Sequence, residues 1–352
     1  MTEAPTALAC RGLTKRYGRV TALRSVDLSI ATGECVALFG RNGAGKTTLL
    51  QIIGSLLAHY EGEAELFGQR VKRADAEHRR ALGLVLHDTC LYLDLSVLDN
   101  LRFFAKLYGV ENPDARAREL LTQFDLADRA HTSARDLSRG MKQRLSIARA
   151  LVHRPRFLLL DEPFTGLDAT SRADLIADLR AVLHRLGAAV LLVTHDREEA
   201  RALADRTALL IAGRLRQVGG TAHVLDAPAD PDCASLLGYT TRLAPDLTGC
   251  GELLVARPER CRLLDPAASL PPNTVAVGGT VRRTVPLGGT TRVDVDTAAE
   301  PVAVLTTAEV TALPGQAVRV AVDLEHVRRI PAAVLSSGGA PPSQNAAADP
   351  MD

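Results

Sequence analysis

Residues Gly40-Arg41-Asn42-Gly43-Ala44-Gly45-Lys46-Thr47 fit the pattern G-x-x-x-x-G-K-[ST], and each residue type in it has a physical task. Glycines at 40, 43 and 45 let the main chain turn tightly and bring its N–H groups close to a phosphate. Lys46 carries a positive charge to terminal phosphates, and Thr47 offers a hydroxyl to Mg²⁺. A second set of groups closes an apolar run: Phe157-Leu158-Leu159-Leu160 leads into Asp161-Glu162-Pro163. Asp161, at the end of such a strand, can hold a divalent cation through water, and Glu162 can polarise an attacking water. Three more segments place polar residues at element ends. Leu137-Ser138-Arg139-Gly140-Met141 opens a helix, Gly166-Leu167-Asp168 follows the carboxylates, and Thr194-His195-Asp196 closes another apolar run. Most histidines here read as surface or packing residues. His195 stands apart because it ends a buried strand, and His87 because it neighbours Asp88.

These groups need elements to position them. Residues 34–39 read as a buried strand and residues 48–54 as a helix. The glycine loop therefore sits between a strand and a helix N-terminus, which is an anion site. Residues 7–31 alternate apolar and polar side chains and predict strands joined by a turn at Tyr17-Gly18. Residues 96–152 are rich in helix formers, with Leu101, Phe104, Ala105 and Leu107-Tyr108 at helical spacing and a fresh helix start at Pro113-Asp114. Buried strands follow at 157–162 and 188–194, with an amphipathic helix at 170–186 between them. Strands alternating with helices predict an α/β fold with a parallel sheet covered on both faces. The character changes near residue 240. Short β-rich runs at 253–256, 275–280, 291–295, 302–306 and 318–322 are punctuated by Gly278-Gly279, Gly288-Gly289 and Pro314-Gly315. They predict a small all-β barrel domain. The Ser, Gly, Ala and Pro of residues 332–352 predict a disordered tail.

A chain of 352 residues has room for two domains. With 3% aromatic residues and no Trp, aliphatic side chains must fill the core. A net charge of +1 argues against broad nucleic-acid binding through bulk electrostatics. The arginines between 139 and 149 then read as a solvated helix face. Six cysteines, none in a C-x-x-C pair, predict a reduced, cytosolic protein. The N-terminus lacks the basic start and apolar segment of a leader. No run approaches the roughly 18 apolar residues of a membrane span. Action at a membrane would therefore run through a partner.

Together, the glycine loop, the Asp161-Glu162 strand end and the segments at 137–141, 166–168 and 194–196 resemble the nucleotide-binding subunit of ABC transporters over residues 7–240. The resemblance implies a P-loop NTPase cassette over residues 1–240. It would hold a RecA-like parallel sheet, an antiparallel β subdomain and a helical subdomain at about 90–155. It implies ATP and Mg²⁺ as cofactors, and two copies (or a copy and a paralogue) head to tail with ATP between them. Carried onto this chain, Tyr17 stacks on adenine. Gly40, Arg41, Asn42, Gly43, Ala44, Gly45, Lys46, Thr47 and Thr48 hold the phosphates and Mg²⁺. Ser138 and Gly140 donate to the γ-phosphate across the dimer, and Asp168 bridges the subunits. Asp161 is the Mg²⁺ carboxylate, Glu162 the catalytic base and His195 the γ-phosphate switch. The implied setting is peripheral, on the cytoplasmic face of the cell membrane. Partners would be an integral permease and, for import, a solute-binding protein, with no nucleic acid.

Two departures stand out. The family signature is usually Leu-Ser-Gly-Gly-Gln, and here Arg139 and Met141 replace Gly and Gln. Where the family normally places Gln in a loop that touches Mg²⁺, this chain has Asp88. That register follows from Leu91-Tyr92 and residues 95–101. A carboxylate there still binds Mg²⁺, but like charges a few Å apart repel by about 1–4 kcal/mol between water-like and surface-like dielectrics. Slower or more Mg²⁺-dependent turnover is expected. Residues 219–221, 224–228, 237–238, 256–260 and 281–288 resemble the TOBE-type accessory domain of importer ATPases, over 241–331. Residues 100–109 and 140–144 look closer to exporter-type ATPases, so export is the alternative. A soluble, non-transport ABC ATPase is the more distant one, since there is one P-loop and no heptad run.

Overall fold

The computed structural model describes residues 5–72, 75–86, 88–243, 253–298, 300–307 and 312–330. It divides into two units, residues 1–224 and 225–352. His87, Cys250 and the tail expected at 332–352 lie outside the described residues.

The first unit opens with β1 (Thr6–Tyr17) and β2 (Val20–Ala31), an antiparallel hairpin. Its turn is Gly18-Arg19, with Gly18 at φ +57°, so Tyr17 ends a strand rather than starting the reversal. After β3 (Cys35–Phe39) and α1 (Lys46–Ile53) come β4 (Glu61–Leu66) and β5 (Gln69–Arg70). The strands at 61–66 and 69–70 were not expected; they extend the hairpin into a sheet of order β2-β1-β4-β5. Next are α2 (Ala76–Ala81), β6 (Leu82–Val85) and three helices, α3 (Val97–Leu107), α4 (Pro113–Gln123) and α5 (Arg139–Leu151). Then follow β7 (Phe157–Asp161), α6 (Ala169–Leu186), β8 (Ala189–Val193), α7 (Arg197–Leu203), β9 (Arg206–Ile211) and β10 (Arg214–Gly220). The central sheet has the order β10-β9-β3-β8-β7-β6, parallel throughout except for β10.

The central strands are buried along almost their whole length because both faces are covered. Successive side chains feed two different cores. Leu158, Leu160, Val190 and Leu192 pack with α3, α4, α5 and α6. Phe157, Leu159, Leu191 and Val193 pack with α1 and the antiparallel sheet. In α3, Ser96 caps the N-terminus by accepting from the Asp99 amide, and Leu101 and Ala105 face the core. Leu107, which shares their helical spacing in sequence, is instead 67% exposed.

The boundary between the units falls inside a short helix, α8 (Thr221–Asp226). The second unit also holds α9 (Pro231–Leu236). Tyr239 donates to the Leu225 carbonyl, and the Arg257 guanidinium covers its ring. Strands β11 (Thr241–Leu243), β12 (Leu253–Ala256), β13 (Cys261–Leu264), β14 (Thr274–Leu287), β15 (Thr290–Thr297), β16 (Val302–Thr306), β17 (Ala317–Asp323) and β18 (Arg328–Ile330) follow. Five form an antiparallel sheet of order β13-β17-β14-β15-β16, and three form β11-β12-β18. The five-stranded sheet curls until its two edge strands approach without pairing, which makes it half of the expected barrel. Gly278-Gly279 punctuates nothing. It lies inside β14, where a Cβ on Gly279 would come within 2.5 Å of the Asp296 carbonyl. Gly288-Gly289 does make the expected turn, between β14 and β15.

Candidate active site

Strand order alone gathers most of the expected groups. β3, β8, β7 and β6 are adjacent and parallel, so their C-terminal ends share one edge of the sheet. From those ends run the 40–47 loop, Thr194-His195, Asp161-Glu162 and, beyond Val85, Asp88. Ligands of open α/β sheets bind at such an edge.

The loop is built for close approach. Gly43 and Gly45 have φ of +79° and +106°, where a side chain would be strained. Gly40 does not; it is a glycine because a Cβ there would lie 2.7 Å from the Leu210 carbonyl. Gly45 is the N-cap of α1 and offers no side-chain cap, leaving first-turn N–H groups for an outside acceptor. The Lys46 side chain is only 9% exposed, and its ammonium donates to two backbone carbonyls, Gly40 O at 2.7 Å and Arg41 O at 3.3 Å. Among the described residues no carboxylate lies within ion-pair distance of it. A buried cation neutralised only by dipoles is a place for an anion.

Around this loop is a cleft of about 560 Å³, lined by Tyr17, Ala22, Arg41, Asn42, Gly43, Gly45, Lys46, Thr47, Thr48, Asp161 and Glu162. Gly40 and Ala44 are buried behind it. Tyr17 stands at the rim, 46% exposed, with the Lys15 ammonium 5.0 Å from its ring centre. Lys15 was not anticipated; its Nζ is tied down by the carbonyls of Ala58 and His59. Thr47 and Asp161 bring a hydroxyl and a carboxylate to the same cleft. Such a hard-oxygen pair suits Mg²⁺, which takes its remaining ligands from phosphate and water.

Glu162 holds φ +49°, a conformation rare for a residue with a side chain. Its amide extends the sheet by donating to Val193 O at 2.9 Å. One carboxylate oxygen accepts from Thr165 Oγ1 at 3.3 Å, and the other lies 3.5 Å from His195 Nδ1. Glu162 is 23% exposed at its side chain and His195 is 68% exposed. The fold thus joins the two expected catalytic residues although 33 positions separate them (195 − 162). Behind His195, Thr194 donates to the buried carboxylate of Glu199, whose pKa burial pushes up. Asp88 is exposed and does not line the cleft.

Ser138, Gly140 and Asp168 form a separate group. Ser138 is the N-cap of α5, accepting from the Met141 amide at 3.3 Å. Asp168 is the N-cap of α6, accepting from the Ser171 amide at 2.9 Å and the Ser171 hydroxyl at 2.7 Å. These bonds, led by the backbone one, hold the Asp168 carboxyl below the usual range. A Cβ on Gly140 would touch Leu167 and Ser171, so the two caps share one surface. None of the three residues reaches the cleft.

Residues 23–165 match the ABC transporter family, and residues 254–330 match the TOBE domain. Among curated relatives, the chain is 40% identical over 238 residues to the sulfate/thiosulfate import ATP-binding protein CysA of Methylococcus capsulatus. That match covers 66% of this chain and 68% of the relative. The chain belongs to the ABC transporter family. It is also 38% identical over 244 residues to the Fe(3+) ions import ATP-binding protein FbpC of Streptomyces avermitilis, covering 69% of this chain and 70% of that one. To the spermidine/putrescine import ATP-binding protein PotA of Roseobacter denitrificans it is 36% identical over 240 residues, covering 68% and 66%. Among solved structures, it is similar to a dimeric, post-hydrolysis ATP-binding cassette bound to ADP and Pi. The TM-score is 0.56 at 29% identity, over 61% of this chain and 98% of that one. This ABC chain is therefore a nucleotide-binding ATPase with the cassette fold. Among the described residues no helix is long and apolar enough to cross a membrane.

Proposed function

We propose that this chain is the ATP-hydrolysing subunit of an ABC importer, acting as a pair of cassettes on the cytoplasmic face of a separate membrane permease. The observation that carries the ATPase reading is the buried Lys46 ammonium inside a glycine loop, with Asp161 and Glu162 lining the same cleft. Import is supported by the TOBE match beside the cassette and by the import subunits among its relatives.

In this reading Tyr17 stacks on the base. The loop amides of 40–48 and Lys46 hold the triphosphate, orienting it without moving during reaction. Thr47 and Asp161 would hold Mg²⁺, whose charge offsets that of the phosphates when bound; Asp88, exposed beyond the end of β6 and outside the cleft lining, would act on that ion from a distance through its charge. Glu162 takes the proton of a water whose oxygen bonds to the γ-phosphorus as the bond to the bridging oxygen of ADP breaks. His195, already beside Glu162, orients toward the γ-phosphate. Ser138 and Gly140 of a second copy close the site, and Asp168 meets that copy at the interface. An exposed aromatic group on the helical segment, Tyr92 against Phe103 at 5.0 Å between ring centres, supports a protein partner there.

The test is capture of the tagged chain from its own membranes with mass spectrometry of what accompanies it. A permease together with a solute-binding protein is the expected result. A membrane subunit of exporter type would reverse the direction, and no membrane partner would favour a soluble ATPase.

A further inference from the structure

Arg139 stands where the family signature usually has glycine, and its side chain is engaged within its own chain. Its Nη2 donates to the Thr165 carbonyl at 3.1 Å. A Cβ on Gly166 would lie 2.1 Å from the Arg139 Cζ, 2.4 Å from Nη2 and 2.6 Å from Nε. The guanidinium therefore rests against the backbone of Gly166, in space that only a glycine leaves open, at a residue with φ +75°. Thr165 in turn bonds twice to Glu162: its amide donates to the Glu162 carbonyl at 3.2 Å, and its hydroxyl to Oε2 at 3.3 Å. Contacts thus run without a break from the first residue of α5 to the carboxylate beside His195.

The turn needs such a hold. Phe164 and Leu167 are buried and anchor its ends, while Gly166 at its apex is exposed. Among the described residues, Arg139 is the one side chain from another element that bonds to Thr165 or Gly166. Glu162 keeps a left-handed backbone, which a residue with a side chain holds only where its surroundings over-determine it.

We propose that Arg139 is a positioning residue. It clamps the Thr165-Gly166 turn, and through Thr165 it aims the Glu162 carboxylate, so that the signature segment and the base of one chain move as one piece. The proposal rests on Glu162 being the base. A guanidinium suits the task because it is planar and donates while lying flat on a peptide, which an ammonium does not do.

The experiment is steady-state ATP hydrolysis by the full chain and its variants Arg139→Ala, Arg139→Lys, Thr165→Val, Arg139→Ala/Thr165→Val and Glu162→Gln. Arg139→Ala should lower kcat about tenfold and leave KM for ATP within about twofold, since misplacement of a reacting group costs rate rather than binding. Arg139→Lys should recover part of that loss. Thr165→Val should show a similar loss, and the double variant should be no slower than the slower single one, because both break one chain of contacts. An unchanged kcat in Arg139→Ala would overturn the proposal, as would multiplied losses in the double variant. So would a loss seen only in KM, which would place Arg139 on a nucleotide held by a second copy. Glu162→Gln separates the two levels. If it still hydrolyses ATP, the reading of Glu162 as base is wrong; if it is inactive while Arg139→Ala is fully active, only the clamp is wrong.

Discussion

The cleft around Lys46 and the surface around Ser138 belong to one cassette but are finished to different degrees. In the cleft, a nearly buried ammonium, a glycine backbone and two carboxylates converge on one volume with Tyr17 at its rim. At the other surface, Ser138 and Asp168 are exposed helix caps, and Gly140 lies beside Leu167 and Ser171. The first region has the donors to bind an anion by itself. The second has polar groups ordered as helix caps by their own chain, and none of them lines the cleft. The difference teaches where the proposed function can be tested: if the groups for turnover are divided between these two surfaces, binding and turnover should be separable by mutation.

The largest effect that would break this contrast is in Ser138→Ala. Removing one donor from a charge-stabilising site costs about 10²–10³ in kcat, and ATP binding to a single chain should not change. Loss of the cap also lowers stability by about 1 kcal/mol, which thermal unfolding checks. Lys46→Ala should do the opposite. Losing a charge-assisted hydrogen bond worth about 1.5–3 kcal/mol weakens ATP binding roughly 10- to 100-fold, measurable by titration calorimetry. Asp88→Gln should have a smaller effect, raising turnover a few-fold or lowering the Mg²⁺ needed for half-maximal rate, since the repulsion at stake is about 1 kcal/mol where water screens it. If neither changes, Asp88 takes no part.

The smallest effect concerns stability. Burial raises the Glu199 carboxyl above its ordinary value, so the folded chain holds that proton more tightly than the unfolded one. The stability it contributes is complete below the ordinary carboxylate range and is lost as pH rises through the raised value. Glu199→Gln keeps an acceptor for Thr194 without the charge. Its Tm should exceed that of the parent chain at about pH 8, and the advantage should vanish at about pH 3, below the ordinary glutamate range. A pH-independent difference would contradict this.

The cleft was legible because its residues are contiguous or lie at ends of apolar runs. Loop, carboxylates and His195 each follow a strand that periodicity marks. What could not be read was what depends on contacts distant in sequence. Arg139 looks like a departure from a motif until Gly166 is seen beneath it, 27 positions on (166 − 139). Lys15 reveals its place under Tyr17 only through the carbonyls at 58 and 59. In the second unit, Gly279 reads as a break yet sits in a strand where another backbone passes close. Strands 261–264 and 328–330 were missed because each is short and carries arginine. Leu107 misled in the other direction, having core spacing and an exposed side chain.

The central claim is that a second copy completes the site. Its most direct measurement is size-exclusion chromatography with light scattering on Glu162→Gln, with and without ATP and Mg²⁺. The account predicts a monomer without nucleotide and a stable dimer with it, abolished by adding Ser138→Ala. A chain that binds ATP and stays monomeric would contradict it.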